Sequence, residues 1–132
     1  MPNLDHVNAV LIVEDDFFIA TDLERALLGQ GCRRTEMAGT CSKALELVGT
    51  TEFDLVTVDV KLADTDCGRL VEVLRDRAIP FVYVSGYEAA GRPDLPKAPW
   101  LSKPIDYAEL GSALLSVCRT SSVAAGYCLQ VS

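Results

Sequence analysis

Apolar residues along the chain fall into short runs separated by amphipathic stretches, and their spacing sorts them into two kinds of element. Ala9–Val13 is apolar throughout, as expected of a strand covered on both faces. Glu14-Asp15-Asp16 ends it abruptly. From Phe17 to about Leu28 the residues Phe18, Ile19, Leu23, Ala26 and Leu27 recur at helical spacing, and Gly29 and Gly31 supply a stop. Arg34–Ala38 predicts a second, weaker strand. Thr40 or Ser42 can cap a helix that carries Ala44, Leu45, Leu47 and Val48 and stops near Gly49. Phe53–Val58 is the third strand, with Asp59 at its carboxyl end, and a polar loop from Lys61 to Asp66 follows. Roughly Gly68–Arg77 is helical, with Leu70, Val71, Val73 and Leu74 available for burial. Pro80 opens a fourth strand, Phe81–Val84, which ends in Ser85-Gly86. A fifth short strand is expected at Pro99–Leu101, followed by Ser102-Lys103-Pro104 and a helix from about Tyr107 to Val117 bearing Leu110, Leu114 and Leu115.

Strands that alternate with helices in this way predict βαβ units, a parallel sheet and right-handed crossovers. The 132 residues are enough for one such domain with a sizeable core. No repeat, low-complexity tract or linker divides the chain. Arg119–Ser132 is small and polar with a few apolar residues, and reads as a tail. The expected architecture is a single doubly wound α/β domain over residues 1–118, with a tail over 119–132.

Charge and composition narrow the function. A net charge of −7 disfavours nucleic acid, whose binders displace counterions with a basic patch. No apolar run approaches the roughly 18 residues that read as a membrane span. The start, Met1-Pro2-Asn3-Leu4-Asp5-His6, lacks the basic and apolar regions of a secretory signal, so a cytoplasmic location is expected. The five cysteines form no C-x-x-C pair, and the chain has one histidine, so a zinc cluster is not expected. They read as reduced thiols, some of them core residues.

In an open parallel sheet, ligands bind beyond the carboxyl ends of the strands. The first strand ends in Glu14, Asp15 and Asp16, the third in Asp59, the fourth in Ser85 and the fifth in Lys103-Pro104. Crowded carboxylates repel one another unless a cation joins them, and magnesium is a hard ion suited to one or two carboxylates plus water and phosphate oxygens. Aspartate can accept a phosphoryl group covalently, and the transfer asks mainly for positioning and charge stabilisation. Each residue also has a plainer reading. Asp16 fits helix N-terminal charge, Ser85 a turn cap, Lys103 a surface lysine and Trp100 ordinary core.

Leu11-Ile12-Val13-Glu14-Asp15-Asp16, Phe53–Asp59, Val84-Ser85-Gly86 and Ser102-Lys103-Pro104, in this order, resemble the response-regulator receiver domain of two-component signalling. The resemblance covers about residues 8 to 118. It implies a flavodoxin-like (βα)5 fold with a five-stranded parallel sheet in the order 2-1-3-4-5. It also implies that Asp59 is the phosphoacceptor. Glu14 and Asp15 would hold Mg2+ or Mn2+ with Asp59 and the Lys61 backbone carbonyl. Ser85 and Lys103 would contact the phosphoryl group, and the Lys103–Pro104 peptide would be cis. Trp100 stands where the family has its switch aromatic, and the switch and core readings both remain open. Lys61 either borders the phosphoryl group or is solvated.

The chain departs from the family pattern between its fourth and fifth strands. Gly86, Gly91, Pro93, Pro96 and Pro99 crowd this interval, and proline costs roughly 3 kcal/mol inside a helix. A short or irregular fourth helix is therefore expected. Pro80-Phe81-Val82-Tyr83-Val84-Ser85-Gly86-Tyr87 resembles stand-alone receivers that serve HWE-family sensor kinases. The expected function is a stand-alone phosphoacceptor, shuttle or sink that takes phosphate from a sensor histidine kinase and alters contacts with a downstream protein. No membrane or nucleic-acid partner and no turnover of an external substrate are expected. The alternatives are a receiver-like scaffold that acts without phosphorylation and, further off, a haloacid-dehalogenase-type hydrolase. The hydrolase chemistry wants a second aspartate where Lys61 stands.

Overall fold

The computed structural model describes residues 7–59, 67–85 and 100–102, with the side chains of Cys67, Ser85 and 100–102 excepted. The elements run β1 (Ala9–Val13), α1 (Phe17–Gly29), β2 (Arg34–Ala38), α2 (Cys41–Thr50), β3 (Leu55–Asp59), α3 (Cys67–Asp76), β4 (Phe81–Ser85) and β5 (Trp100–Ser102). All strands are parallel in one sheet of order β2-β1-β3-β4-β5. This is the doubly wound flavodoxin-like order. The expected fourth helix, the helix from Tyr107 and the tail lie outside the described residues.

The chain leaves β1 toward β2 and then returns past it to β3. Right-handed crossovers therefore put α1 on one face and α2 and α3 on the other, and α2 and α3 pack against each other. Central strands covered on both faces must be apolar throughout. Every residue of β1 and β3 is buried, including Thr57 and Asp59. The edge strand β2 instead alternates exposed and partly buried residues. An exposed Arg34–Glu36 ion pair at 3.5 Å sits on it, a charged edge of the kind that discourages pairing with another chain.

Local signals place the helix starts. Asp16 is the N-cap of α1, and its carboxylate accepts from the backbone amides of Phe18 (2.9 Å) and Ile19 (3.2 Å). Thr40, one of two possible caps, is the N-cap of α2, and its hydroxyl accepts from the Lys43 amide at 3.0 Å. The inward stripe of α1 is Ala20, Leu23 and Leu27, with Ile19 and Ala26 partly buried against the core. Phe18, expected inside, is 79% exposed and lies edge-to-face with the exposed Phe17. Its direction is about 200° round the helix from Ala20, which the residue spacing alone left ambiguous.

The cysteines divide. Cys32 is a free thiol, buried behind β2, and its Sγ contacts the Arg34 carbonyl at 3.2 Å. Cys41, the first residue of α2, is fully buried and disulfide-bonded, contrary to the expectation of reduced thiols throughout.

Candidate functional site

β1 is the point at which strand order reverses, so a crevice opens beyond the carboxyl ends of β1 and β3. Val13 stands beside Val58 and Asp59 beside Val84. Glu14 thus leaves β1 level with Asp59 at the end of β3. The register brings two acidic residues 45 positions apart in sequence onto one rim.

Carboxylate oxygens of Glu14, Asp15 and Asp59 lie within 4.8 Å of one another. Glu14 and Asp59 are buried, whereas Asp15 is exposed. Two local bonds hold the Glu14 turn in place. Its amide donates to the Ala38 carbonyl at the end of β2 (2.9 Å), and its Oε2 accepts from the Asp16 amide (3.1 Å). One acidic triplet therefore divides its labour. Glu14 turns in, Asp15 reaches the rim from solvent, and Asp16 caps α1.

A set of three carboxylates is a hard, anionic donor set, and like charge at this spacing is unfavourable until a cation enters. The chemistry fits Mg2+ or Mn2+, which take oxygen ligands and keep open positions for water and phosphate. It does not fit a thiophilic metal, since no cysteine or histidine joins the cluster among the described residues.

The other expected site residues are placed in part. Ser85 ends β4, with its backbone opposite Ser102 of β5 and one step beyond the Asp59–Val84 pair. The Trp100 backbone pairs with Tyr83, two steps below the Ser85–Ser102 level. Lys61, Lys103 and Pro104 lie outside the described residues. Sequence reasoning passed over Asp54, which precedes β3. Its Oδ2 accepts from the backbone amides of Asn8 (2.8 Å) and Ala9 (2.9 Å), pinning the entrance of β1 to β3. An aspartate next to a strand end was its only signal.

Fold and rim together define a doubly wound domain with an acidic cation-type cluster at its switch point. The response regulator receiver domain model matches residues 10–114, and the chain belongs to that family, the receivers of two-component response regulators. It is similar to the photosynthetic apparatus regulatory protein RegA of Rhodobacter capsulatus. The two are 31% identical over 114 residues, which is 82% of this chain and 61% of that protein. The chain thus spans about three-fifths of this curated relative's length. Among solved structures, a sensor protein from Polaromonas sp. JS666 is 31% identical with a TM-score of 0.75, covering 85% of this chain and 96% of that one. A CheY-like receiver domain from Methylobacillus flagellatus is 32% identical with a TM-score of 0.67, covering 84% and 98%.

Proposed function

We propose that Asp59 accepts a phosphoryl group from a sensor histidine kinase in a magnesium-dependent reaction, and that the phosphorylated domain alters its contacts with a downstream protein. The observation that carries this reading is the gathering of Glu14, Asp15 and Asp59 at the sheet's switch point. A carboxylate oxygen of Asp59 attacks phosphorus. The new P–O bond forms as the P–N bond to the donor histidine breaks, and the imidazole leaves with its ring proton. Glu14, Asp15, Asp59 and the Lys61 carbonyl would hold a magnesium ion, which would supply charge neutralisation for the phosphoryl oxygens when bound. Ser85 and Lys103 complete the pocket as hydroxyl and ammonium partners of the phosphoryl group, next to a cis Lys103–Pro104 peptide, and Trp100 reports its state.

In this reading residues 1–118 form the receiver and 119–132 a tail. The domain acts in the cytoplasm and turns over no external substrate beyond losing its own phosphate. The kinase is of the HWE family, on the strength of the Pro80–Tyr87 segment. Among the described residues no helix is long and apolar enough to cross a membrane.

Incubation with phosphoramidate or acetyl phosphate and magnesium, followed by intact-mass measurement, tests the acceptor. Wild type gains one phosphate, while Asp59→Asn gains none and Asp54→Asn, at the other end of the same strand, still does. Absence of an adduct with these donors and with a phosphorylated kinase sinks the reading in favour of a scaffold.

A further inference from the structure

We infer that the outer edge of β2 pairs with β2 of a second copy of this chain, antiparallel and centred on Thr35, joining two sheets into one. The pairing is independent of the phosphoacceptor reading. Among the described residues β2 is an end strand of the sheet. The Arg34 amide donates to the Asn8 carbonyl at 3.0 Å, and the Ala38 carbonyl accepts from the Glu14 amide at 2.9 Å. Arg34, Glu36 and Ala38 therefore turn their main-chain groups toward β1. Successive residues of a strand turn these groups to opposite sides, so Thr35 and Met37 present theirs to the outer edge. An edge of this kind is a template for another strand.

The side chains choose the partner and the register. Arg34 and Glu36 lie on one face of β2 as an exposed ion pair at 3.5 Å. The Arg34 guanidinium also sits 6.0 Å from the centre of the Phe53 ring. On the opposite face the Thr35 hydroxyl donates to Glu24 of α1. Charges on an edge turn away most strands, but this pair is the complement of its own image. A two-fold axis normal to the sheet at Thr35 lets that residue exchange both main-chain bonds with its copy. Arg34 then stands opposite Glu36 of the second copy, and Glu36 opposite Arg34. Moving the axis by one residue destroys the match, because it sets glutamate against glutamate or arginine against arginine. Opposite charges across a strand pair attract and like charges repel, so one register is favoured.

The strand is five residues long, so the contact is small and the dimer forms reversibly. Antiparallel pairing points the two carboxyl rims in opposite directions, which keeps the two Glu14–Asp15–Asp59 clusters apart.

Sedimentation of the full chain from micromolar to millimolar concentration tests the pairing. Wild type is expected to pass from monomer to dimer, with exchange of the Thr35 amide slowing as the dimer forms. Arg34→Glu and Glu36→Arg should each weaken the dimer roughly tenfold, since each replaces two attractive cross-strand pairs with two repulsive ones. An equimolar mixture of these two variants restores the complement and should regain wild-type association, as should the double exchange R34E/E36R. Glu36→Arg makes the chain two charges less negative, so a general relief of charge repulsion would tighten the dimer instead. Such tightening overturns the proposal. So does a wild type that stays monomeric throughout the range, a dimer indifferent to both single variants, or a mixture no more associated than its components.

Discussion

An aspartate stands at each limit of strand β3, Asp54 just before it and Asp59 as its last residue, and the protein treats them in opposite ways. Asp54, at the amino end, is a solvent-facing carboxylate whose Oδ2 is met by two backbone amides, those of Asn8 and Ala9. It is a clasp between β1 and β3. Asp59, at the carboxyl end, is buried and set among two further carboxylates. Amide donors lower the energy of one aspartate, while the other lies with carboxylate oxygens of Glu14 and Asp15 within 4.8 Å, a spacing at which like charges repel. Chemistry built into a fold tends to sit where stability has been given up for it. The contrast between these two ends separates an acid that clasps strands from one gathered into a carboxylate cluster more clearly than residue type does.

Magnesium should widen the contrast most. At a hundredfold excess over Kd, a ligand bound only to the native state stabilises it by about 2.7 kcal/mol. Wild type and Asp54→Ala should both show that gain in thermal melts, whereas Glu14→Gln and Asp59→Asn should lose most of it. A wild-type melt unmoved by magnesium would break the assignment of this rim to a cation.

Without the ion the two ends should respond with opposite sign. Asp54→Ala removes the acceptor of two amides and should cost about 1–2 kcal/mol in a denaturant titration. Asp59→Asn relieves like-charge crowding and should raise stability by roughly 1 kcal/mol. Two changes of the same sign would erase the distinction drawn above.

Asp16 offers a control inside the acidic triplet itself. Its carboxylate caps α1, so Asp16→Ala should lower stability by about 1 kcal/mol and leave magnesium affinity nearly unchanged. A large drop in affinity instead would mean that Asp16 shares the metal.

The smallest effect concerns Cys32. Burial pushes its thiol up and the charge of Asp54 adds to this, against the opposing pull of the Arg34 backbone hydrogen bond and charge. A raised native value means that the unfolded chain loses the proton first as pH rises. The contribution of this thiol is therefore complete below the unfolded value and lost as pH climbs through the thiol range. Stability measured from neutral to alkaline pH should fall less steeply in Cys32→Ala than in wild type.

Much of this was written in the linear chain. The alternation of strands and helices gave a parallel sheet, and the continuous apolar run of β1 marked a strand covered on both faces. The abrupt Glu14-Asp15-Asp16 and the single Asp59 after Val58 marked the carboxyl rim. Strand ends moved by a residue or two: β3 begins at Leu55 rather than Phe53, and β4 includes Ser85. Those limits depend on hydrogen bonds to neighbouring strands, which no single segment encodes.

Tertiary structure alone settled three matters. The register of β1 on β3 put Glu14 level with Asp59, so that an acidic triplet became one capping residue and two rim carboxylates. The rotation of α1 against the sheet turned Phe18 to solvent, since the helical period gives relative directions but not which one faces the core. Asp54 became a clasp only because the amides of Asn8 and Ala9 lie beside it. The sequence determined which residues could carry charge at the sheet's edge. The packing of distant segments decided which of those charges cap or clasp backbone and which it gathers into one carboxylate cluster.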